Sequence, residues 1–313
     1  MKIAIITSCT NRKHIPPNPL LCANTLPVGD QNSLLLAWKN RIKKTSSRVQ
    51  AETLYCGRGF SEIRKIITND KKSKCWVVSA GLGLVGLKDE VPSYNLTITP
   101  STKDSIQNKL SDGLQFDFRG WWGGINNHLN NAKNPLASLI SENRHTFFVI
   151  SLPKAYLNFV YSDLLNLEED CFDRIRFLGT NSIFSVHQKS KDLVMPYDER
   201  FDGPDSTNPG TRSDFYQRIL RHFVENILKE NLSSSYKEHS AAVYDFICTK
   251  RAALKVQRVQ KSNEEIKKII VTRWNDANGN SAKMLRILRD NELVSCEQSR
   301  FADIFQQLKS NMP

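Results

Sequence analysis

The chain has 313 residues, of which 40% are hydrophobic and 24% charged, and its 44 Lys and Arg against 32 Asp and Glu give a net charge of +12. This composition excludes a disordered or fibrous chain, and the apolar runs are shorter than the roughly 18 to 20 residues of a membrane helix. We therefore expect a folded protein with no membrane partner, whose positive charge favours a polyanion.

The N-terminus and the cysteines indicate the compartment. The apolar run that begins at Met1 stops at Thr7 and Ser8, which predicts a first strand rather than a secretory signal. The seven cysteines lie at least 13 residues apart and so lack the close pairs typical of zinc sites. An odd number of cysteines without a targeting signal indicates reduced thiols. We expect a cytoplasmic protein that binds no metal.

The positive charge is concentrated in two regions of the chain. Residues 1–75 contain 14 Lys and Arg against 4 Asp and Glu, and residues 249–300 contain 12 against 6. Two separated basic regions favour a nucleic acid that is contacted by two parts of the protein. A solvated basic surface explains the charge equally well.

Short β-branched or aromatic runs alternate with helical patterns, which predicts a three-layer α/β fold with a mostly parallel sheet. The predicted strands are Lys2–Thr7, Cys75–Ala80, Thr146–Leu152, Arg174–Leu178 and Asp192–Met195. The predicted helices are Asn32–Lys44, Gly59–Asn69, Lys154–Leu165 and Thr211–Lys229.

A turn-rich loop at 198–212 predicts a boundary between an α/β domain at 1–200 and a helical extension at 201–313. In the extension, Ser262–Glu265 and Ser295–Gln298 have the pattern of capping boxes, Asn278 and Gly279 predict a turn, and Ser281 predicts a helix cap. Three short helices with a basic middle one predict a helix-turn-helix at 262–310. A plain helical cap with a solvated basic face is the alternative.

Polar residues follow the predicted strands, where sites form in parallel sheets. They are Ser8, Cys9, Asn11, Arg12 and Lys13 after the first strand, Ser79, Gly81 and Gly83 after the second, and Ser151 and Lys154 after the third. Asp89, Glu90 and Tyr94 follow the glycines, and adjacent carboxylates can act in catalysis or merely be solvated. Trp121 and Trp122 can stack on a nucleotide or belong to the core. The glycine run lacks the spacing of a dinucleotide-binding fingerprint.

Short segments carry a family resemblance, namely Ser8–Lys13, Ala51–Tyr55 with Gly59 and Phe60, Trp76–Leu84, and Pro92–Tyr94. They resemble a group of bacterial proteins that includes the YaaA-like peroxide-stress family and the uracil-DNA-glycosylase-like domains found beside archaeosine synthases. Anti-phage DNA glycosylases, which cut modified bases from viral DNA, are similar in architecture. The resemblance covers about residues 1 to 200, and the remainder is an extension.

The resemblance implies a uracil-DNA-glycosylase-like sheet with the base pocket at the strand ends. By position it assigns the placement or activation of water to Asn11 or its neighbours, and the support of the flipped nucleotide to Ser151–Lys154. The chain lacks the Gly-x-Asp-Pro-Tyr after the first strand and the His-Pro-Ser of the later loop that this superfamily uses. A water-activating carboxylate must then come from elsewhere, and Asp89 or Glu90 is the candidate.

These observations predict a DNA glycosylase that flips a base, of a modified kind, out of DNA and hydrolyses its N-glycosidic bond, in phage defence. It needs no cofactor, and no obligate protein partner is indicated. The predicted catalytic residues are Asn11, Asp89, Glu90 and Lys154. The predicted base pocket comprises Ser8, Cys9, Ser79, Gly81, Gly83, Tyr94, Trp121, Trp122 and Ser151. The predicted contacts to DNA are Arg12, Lys13, Arg212, Lys283, Arg286 and Arg289.

Two alternatives remain open from the sequence. The first is a non-catalytic DNA-binding protein of the stress-response kind, which would need neither carboxylate. The second is a base-exchanging transglycosylase that acts on RNA, which would need a free incoming base and would leave no abasic site.

Overall fold

The computed structural model describes residues 2–100, 102–179, 192–229, 231–252 and 256–309. Contacts divide the chain into two compact units, Met1–Ala253 and Leu254–Pro313. The first unit extends past residue 200, where the sequence predicts a boundary, because the helical segments that follow contribute to its core. The buried residues there are Phe201, Ile219, Leu220, Phe223, Val243 and Ile247.

The first unit contains a six-stranded, mostly parallel sheet with the strand order β4-β3-β1-β6-β7-β8. Among the described strands of this sheet, only β4 runs antiparallel to its neighbour, β3. The strands of this unit are β1 Lys2–Ser8, β2 Val49–Gln50, β3 Lys74–Ser79, β4 Gly83–Gly86, β5 Glu90–Val91, β6 Thr146–Ser151, β7 Ile175–Leu178 and β8 Val194–Met195.

The five predicted strands are confirmed, with ends that differ by one or two residues. Strand β4 was not predicted, because its glycine-rich sequence has the composition of a turn. All residues of β1 from Ile3 to Ser8 are buried, so both faces of the sheet are covered. This explains why the strands read as continuous apolar runs rather than as alternating patterns.

Helices cover the sheet. In the first unit they are α1 Gln31–Lys44, α2 Ala51–Leu54, α3 Arg58–Asn69, α4 Phe118–Asn130, α5 Pro135–Glu142, α6 Lys154–Phe159, α7 Tyr161–Leu165, α8 Phe215–His222 and α9 Tyr236–Cys248. Helix α1 packs on α4, and α3 packs on α8. The helix predicted at Lys154–Leu165 is divided in two at Val160, and α8 continues as a π-helical segment at Phe223–Leu228.

The second unit is a small helical domain with its own core. Its elements are β9 Val259–Gln260, α10 Asn263–Thr272, α11 Trp274–Ala277, α12 Ser281–Arg286 with a π-helical continuation at Ile287–Asn291, β10 Val294–Ser295 and α13 Gln298–Lys309. Strands β9 and β10 pair in parallel. The core includes Ile266, Ile270, Met284, Leu288, Phe301 and Phe305.

The capping signals of this unit are only partly realised. The capping box at Ser262 and Glu265 forms, and Asn278 and Gly279 both have positive φ, as the predicted turn requires. The cap of α12 is Asn280 rather than Ser281, because the Asn280 side chain accepts the bond from the Lys283 N–H. The second predicted box is wrong: Ser295 belongs to strand β10, and helix α13 begins only after it.

A buried arginine fixes the loop at 202–214 to helix α8. Arg218 is 2% exposed and forms ion pairs with Asp202 and Asp214. Its guanidinium also donates to the carbonyl oxygens of Asn208, at 3.0 Å, and Thr211, at 3.0 Å. Each of the three guanidinium nitrogens therefore contacts the loop, and a buried charge is tolerated when it is paired and hydrogen-bonded in this way.

Substitution Arg218→Leu should lower the free energy of unfolding by about 3–5 kcal/mol, because it leaves two carboxylates without their buried partner. Chemical denaturation measures the change. The matched control is Arg251→Gln, which removes a pair with Asp205 whose arginine side chain is 75% exposed. That control should cost less than about 1 kcal/mol, and equal losses in the two variants would contradict a buried role for Arg218.

Candidate functional site

The polar ends of three neighbouring strands meet at one edge of the sheet. Strand β1 lies between β3 and β6, with Ser8 opposite Val78 of β3 and Thr7 opposite Ser151 of β6. The segments that follow these strands therefore lie together at the carboxyl edge, where ligands bind in parallel α/β sheets. We use the name strand-end cluster for six residues there: Cys9, Lys13, Tyr55, Ser79, Tyr94 and Tyr156.

Three hydroxyl groups form a hydrogen-bonded chain in the cluster. The Tyr94 hydroxyl lies 2.5 Å from Ser79 Oγ and 3.0 Å from the Tyr55 hydroxyl. Ser79 Oγ also accepts bonds from the N–H groups of Gly81, at 3.2 Å, and Leu82, at 3.0 Å. With both lone pairs engaged, Ser79 donates its proton to Tyr94. The Tyr55–Tyr94 bond uses one of the two phenol protons, and the other has no partner among these three hydroxyl groups.

The phenols of the cluster keep their protons. Burial raises the pKa values of Tyr94, Tyr156 and Tyr55 above that of an exposed tyrosine, and negative charge at Cys9 acts in the same direction. The hydroxyl of Tyr156 lies 3.3 Å from Cys9 Sγ. These tyrosines therefore act as hydrogen-bond donors throughout the physiological pH range and not as bases.

Lys13 is placed over the phenol rings by a fixed loop. The backbone of Lys13 forms a β-bridge with Tyr55, and the Thr10 hydroxyl donates to the carbonyl oxygens of Arg12, at 2.8 Å, and Cys56, at 3.0 Å. The ammonium lies 4.4 Å from the centre of the Tyr94 ring and donates to the Thr10 carbonyl at 3.3 Å. The loop thus turns the amine back towards the sheet instead of out to solvent.

The burial of Lys13 makes its amine easier to deprotonate than that of an exposed lysine. Burial lowers its pKa, and negative charge on neighbouring groups offsets part of this effect. Those groups are Cys9, Cys56, Asp104 and Cys22. The face of the Tyr94 ring also favours the charged form. Within the described part of the chain no carboxylate lies within ion-pair distance of this amine, so burial prevails.

Gly81 leaves the space that Tyr94 occupies. A Cβ atom at this position would lie 2.8 Å from two ring carbons of Tyr94 and 3.2 Å from Trp38. The carbonyl of Gly81 accepts a bond from the Trp38 indole at 2.7 Å, and the neighbouring carbonyl of Ala80 accepts one from Trp121 at 2.8 Å. The predicted close approach at Gly81 is therefore an approach of protein side chains.

Trp121 and Trp122 are core residues, both completely buried in helix α4. The Trp122 indole donates to Asp163 at 2.8 Å, so neither ring is free to stack on a base. This corrects their prediction as base-pocket residues, and the physical reason is that α4 covers the sheet. Gly83 pairs with Ser79 in the sheet, and the space left by its missing side chain is occupied by Asn126 rather than by a ligand.

Asp89 and Glu90 lie away from the strand-end cluster. Strand β4 runs antiparallel to β3 and brings Gly86 opposite Trp76, so the chain beyond it lies towards the amino edge of the sheet. Asp89 accepts a bond from the Gly86 N–H at 2.7 Å, and Glu90 is an exposed residue of β5. The structure therefore does not bring the predicted catalytic carboxylates to the predicted pocket.

The other predicted residues lie around the cluster or outside it. Asn11, Arg12, Lys154 and Arg212 are exposed, and Ser8 is buried in β1. The Ser151 hydroxyl donates to the Tyr216 carbonyl at 2.7 Å, which engages its proton. In the second unit Lys283 and Arg286 are exposed, whereas Arg289 donates to the Cys296 carbonyl at 2.8 Å and so has a structural role.

Tyr55, Tyr156 and Asp104 were missed by the sequence prediction. Tyr55 directly follows helix α2, and Tyr156 lies in the first turn of helix α6, which follows strand β6. Both lie in segments that the sequence analysis considered, and their position next to the predicted strands and helices was the signal that could have identified them. The carboxylate of Asp104 accepts bonds from the Asn95 side chain, at 2.6 Å, and the Asn24 N–H, at 3.2 Å. No motif in the sequence around Asp104 indicates that this residue lies near the site.

A basic groove of about 620 Å³ lies at the opposite, amino edge of the sheet. It is lined by Lys2, Lys72, Lys74, Arg144, His145 and Trp76, with Glu142 as the acidic residue among them. Phosphate groups are the natural partners of such a lining. This groove lies at the other end of β1 from the strand-end cluster, since Lys2 and Ser8 are its two terminal residues.

Comparison with protein-family models, with curated proteins and with solved structures found no match to this chain. Among the described residues, no three His, Cys, Asp or Glu side chains are grouped so that they could hold a metal ion. No helix in that part of the chain combines the length and the apolar character needed to cross a membrane.

Substitution Gly81→Ala should displace Tyr94 and lower the free energy of unfolding by about 1–3 kcal/mol, because the added methyl group meets the ring. Gly123→Ala is the matched control, since that glycine lies in helix α4 with nothing within 4 Å of the added atom. The control should stabilise the protein by roughly 0.5–1 kcal/mol. Chemical denaturation distinguishes the two, and a neutral Gly81 variant would show that the ring has room to move.

Proposed function

We propose that this chain is a DNA glycosylase that flips a base into the strand-end cluster and cleaves its N-glycosidic bond. The observation that carries the proposal is the cluster itself: a desolvated amine over protonated phenols at the carboxyl ends of neighbouring parallel strands. Chemistry on a base in a duplex requires that the nucleotide leave the stack for such a pocket.

The groups of the cluster match the needs of base excision. The bond breaks with negative charge on the departing base, and donors aimed at that charge stabilise the transition state. The spare phenol proton of the Tyr55–Tyr94 pair and the N–H groups of Lys13 are such donors. Arg12 is exposed in the loop after β1 and Arg58 at the start of helix α3, and both are available to phosphates.

The substrate class rests on the resemblance to anti-phage glycosylases. It favours a modified base of phage DNA, and the buried hydroxyls would read its edge by hydrogen bonds. Because a pocket built on hydrogen bonds rejects a base that leaves its polar groups unpaired, we expect strong discrimination between modified and ordinary bases.

The direct test is incubation of the purified protein with unmodified and base-modified phage DNA, without added metal, followed by mild alkali to reveal abasic sites. We expect abasic sites in the modified DNA. Lys13→Gln should reduce their rate of formation by about 100-fold or more, as the loss of a transition-state donor does. Glu90→Gln is the matched control and should retain activity, because Glu90 lies away from the cluster.

Non-catalytic DNA binding is the second candidate function, and the basic groove at the amino edge favours it. Lys2, Lys72, Lys74 and Arg144 would contact phosphates there without any chemistry. DNA that is bound by the protein but remains intact in the alkali assay would overturn the glycosylase proposal in favour of this one.

The second unit provides a separate test of contact with DNA. If Lys283 and Arg286 contact phosphates, the double substitution Lys283→Ala/Arg286→Ala should weaken binding to all sequences and flatten its salt dependence by about one unit of slope per lost contact. Lys268→Ala, which removes a charge from an exposed residue of α10, controls for net charge. An unchanged slope in the double variant would remove helix α12 from the interface.

A further inference from the structure

We propose that Lys13 is the nucleophile of base excision and that its Nζ forms a Schiff base with C1′ of the sugar. This inference rests on the proposed glycosylase function. It assigns to an amine the catalytic role for which the sequence analysis proposed a carboxylate, Asp89 or Glu90. It follows from where the structure places the nucleophilic side chains of the carboxyl edge.

The other nucleophilic groups of the cluster are engaged. Ser79 Oγ accepts two backbone N–H bonds, and the phenols retain their protons. The Cys9 thiol lies against Tyr156. Both oxygens of Asp104 accept hydrogen bonds, and Asp89 and Glu90 lie away from the site. Lys13 differs from all of these, because its partners are a carbonyl oxygen and a ring face, which leave the lone pair of a neutral amine unengaged.

The surroundings of the amine favour the form that reacts. A protonated lysine has no lone pair, so a nucleophilic lysine must lose its proton near neutral pH, and burial favours that loss. The side chain is nonetheless not sealed, since Cys9, Thr10, Lys13 and Cys56 are all only partly buried. A flipped nucleotide would approach Nζ past these partly exposed residues.

The reaction balances without a redox partner. The lone pair of the neutral amine forms a bond to C1′ while the bond from C1′ to the base breaks, and the base leaves with one proton that originates from the amine and passes through the phenols. The sugar ring then opens as the C=N bond forms, and the second amine proton moves to O4′. Water adds to the C=N bond and releases Lys13 and an abasic sugar in its aldehyde form.

The test is borohydride trapping on a duplex oligonucleotide that carries one pre-formed abasic site. Borohydride reduces the C=N bond, so the wild-type protein should form a covalent adduct visible on a denaturing gel, and peptide mass mapping should place it on Lys13. Lys13→Arg keeps the positive charge over Tyr94 but cannot form this imine, and its adduct should fall to background. Lys133→Gln, at an exposed lysine between α4 and α5, should trap as the wild type does.

The pH dependence of trapping is a second readout that a purely structural lysine would not give. The groups facing Lys13 are Cys9, Cys22, Cys56, Tyr55, Tyr94 and Asp104. Burial lowers the Lys13 pKa, so the rate of trapping should rise with pH through a midpoint below that of an exposed lysine and then level off. A midpoint at the usual lysine value would overturn a reactive role for a desolvated amine.

The two proposals fail in different ways. Because the abasic oligonucleotide already lacks its base, adduct formation at Lys13 tests the amine without requiring base release. Base release from phage DNA without an adduct would overturn the Schiff base and leave the glycosylase standing. An adduct that persists in Lys13→Arg would show that another amine reacts. Absence of any adduct with the folded wild-type protein would also overturn the inference.

Discussion

Burial of the Tyr94 hydroxyl is the constraint on which the site depends. A phenol removed from water without a partner costs roughly 1–3 kcal/mol, so the fold must supply hydrogen bonds at that point. Ser79 supplies one from the end of β3, and Tyr55 supplies the other from the segment after α2. Three stretches of chain are thereby held at fixed positions. Lys13 takes its place over the ring because its backbone pairs with Tyr55.

The fold was largely predictable from the sequence, and the site only in part. The β-branched runs predicted the sheet, and the rule that ligands bind at the carboxyl ends of parallel strands brought Cys9, Lys13 and Ser79 together correctly. Cys9 and Tyr156, however, are 147 residues apart in the sequence, and no local sequence pattern can predict that their side chains are in contact. Asp89 was predicted to lie at the carboxyl edge because it is close to Tyr94 in the sequence. The sequence does not show that β4 runs antiparallel to β3 and so takes Asp89 towards the amino edge.

Net charge was an ambiguous guide because many cations serve the fold. Arg41 donates to the carbonyl oxygens of Leu20 and Thr25, and Arg64 to those of Glu52 and Tyr55. Such arginines satisfy carbonyl groups in short helical turns and in the segments next to them. The remaining Lys and Arg side chains are divided between opposite edges of the sheet and the second unit. The net charge of +12 therefore does not indicate which surface would bind a polyanion.

The shared protons of Ser79, Tyr94 and Tyr55 also have a consequence for how the site can evolve. Each hydroxyl is a partner of the next, so the loss of one leaves its neighbour unsatisfied, and the loss of a second then costs less than it would alone. The positions are therefore epistatic: a change at one alters which residues are acceptable at the others. Single substitutions would be penalised, whereas replacement of all three hydroxyl-bearing side chains together by apolar groups would be tolerated by the fold and would remove the hydrogen bonds between them.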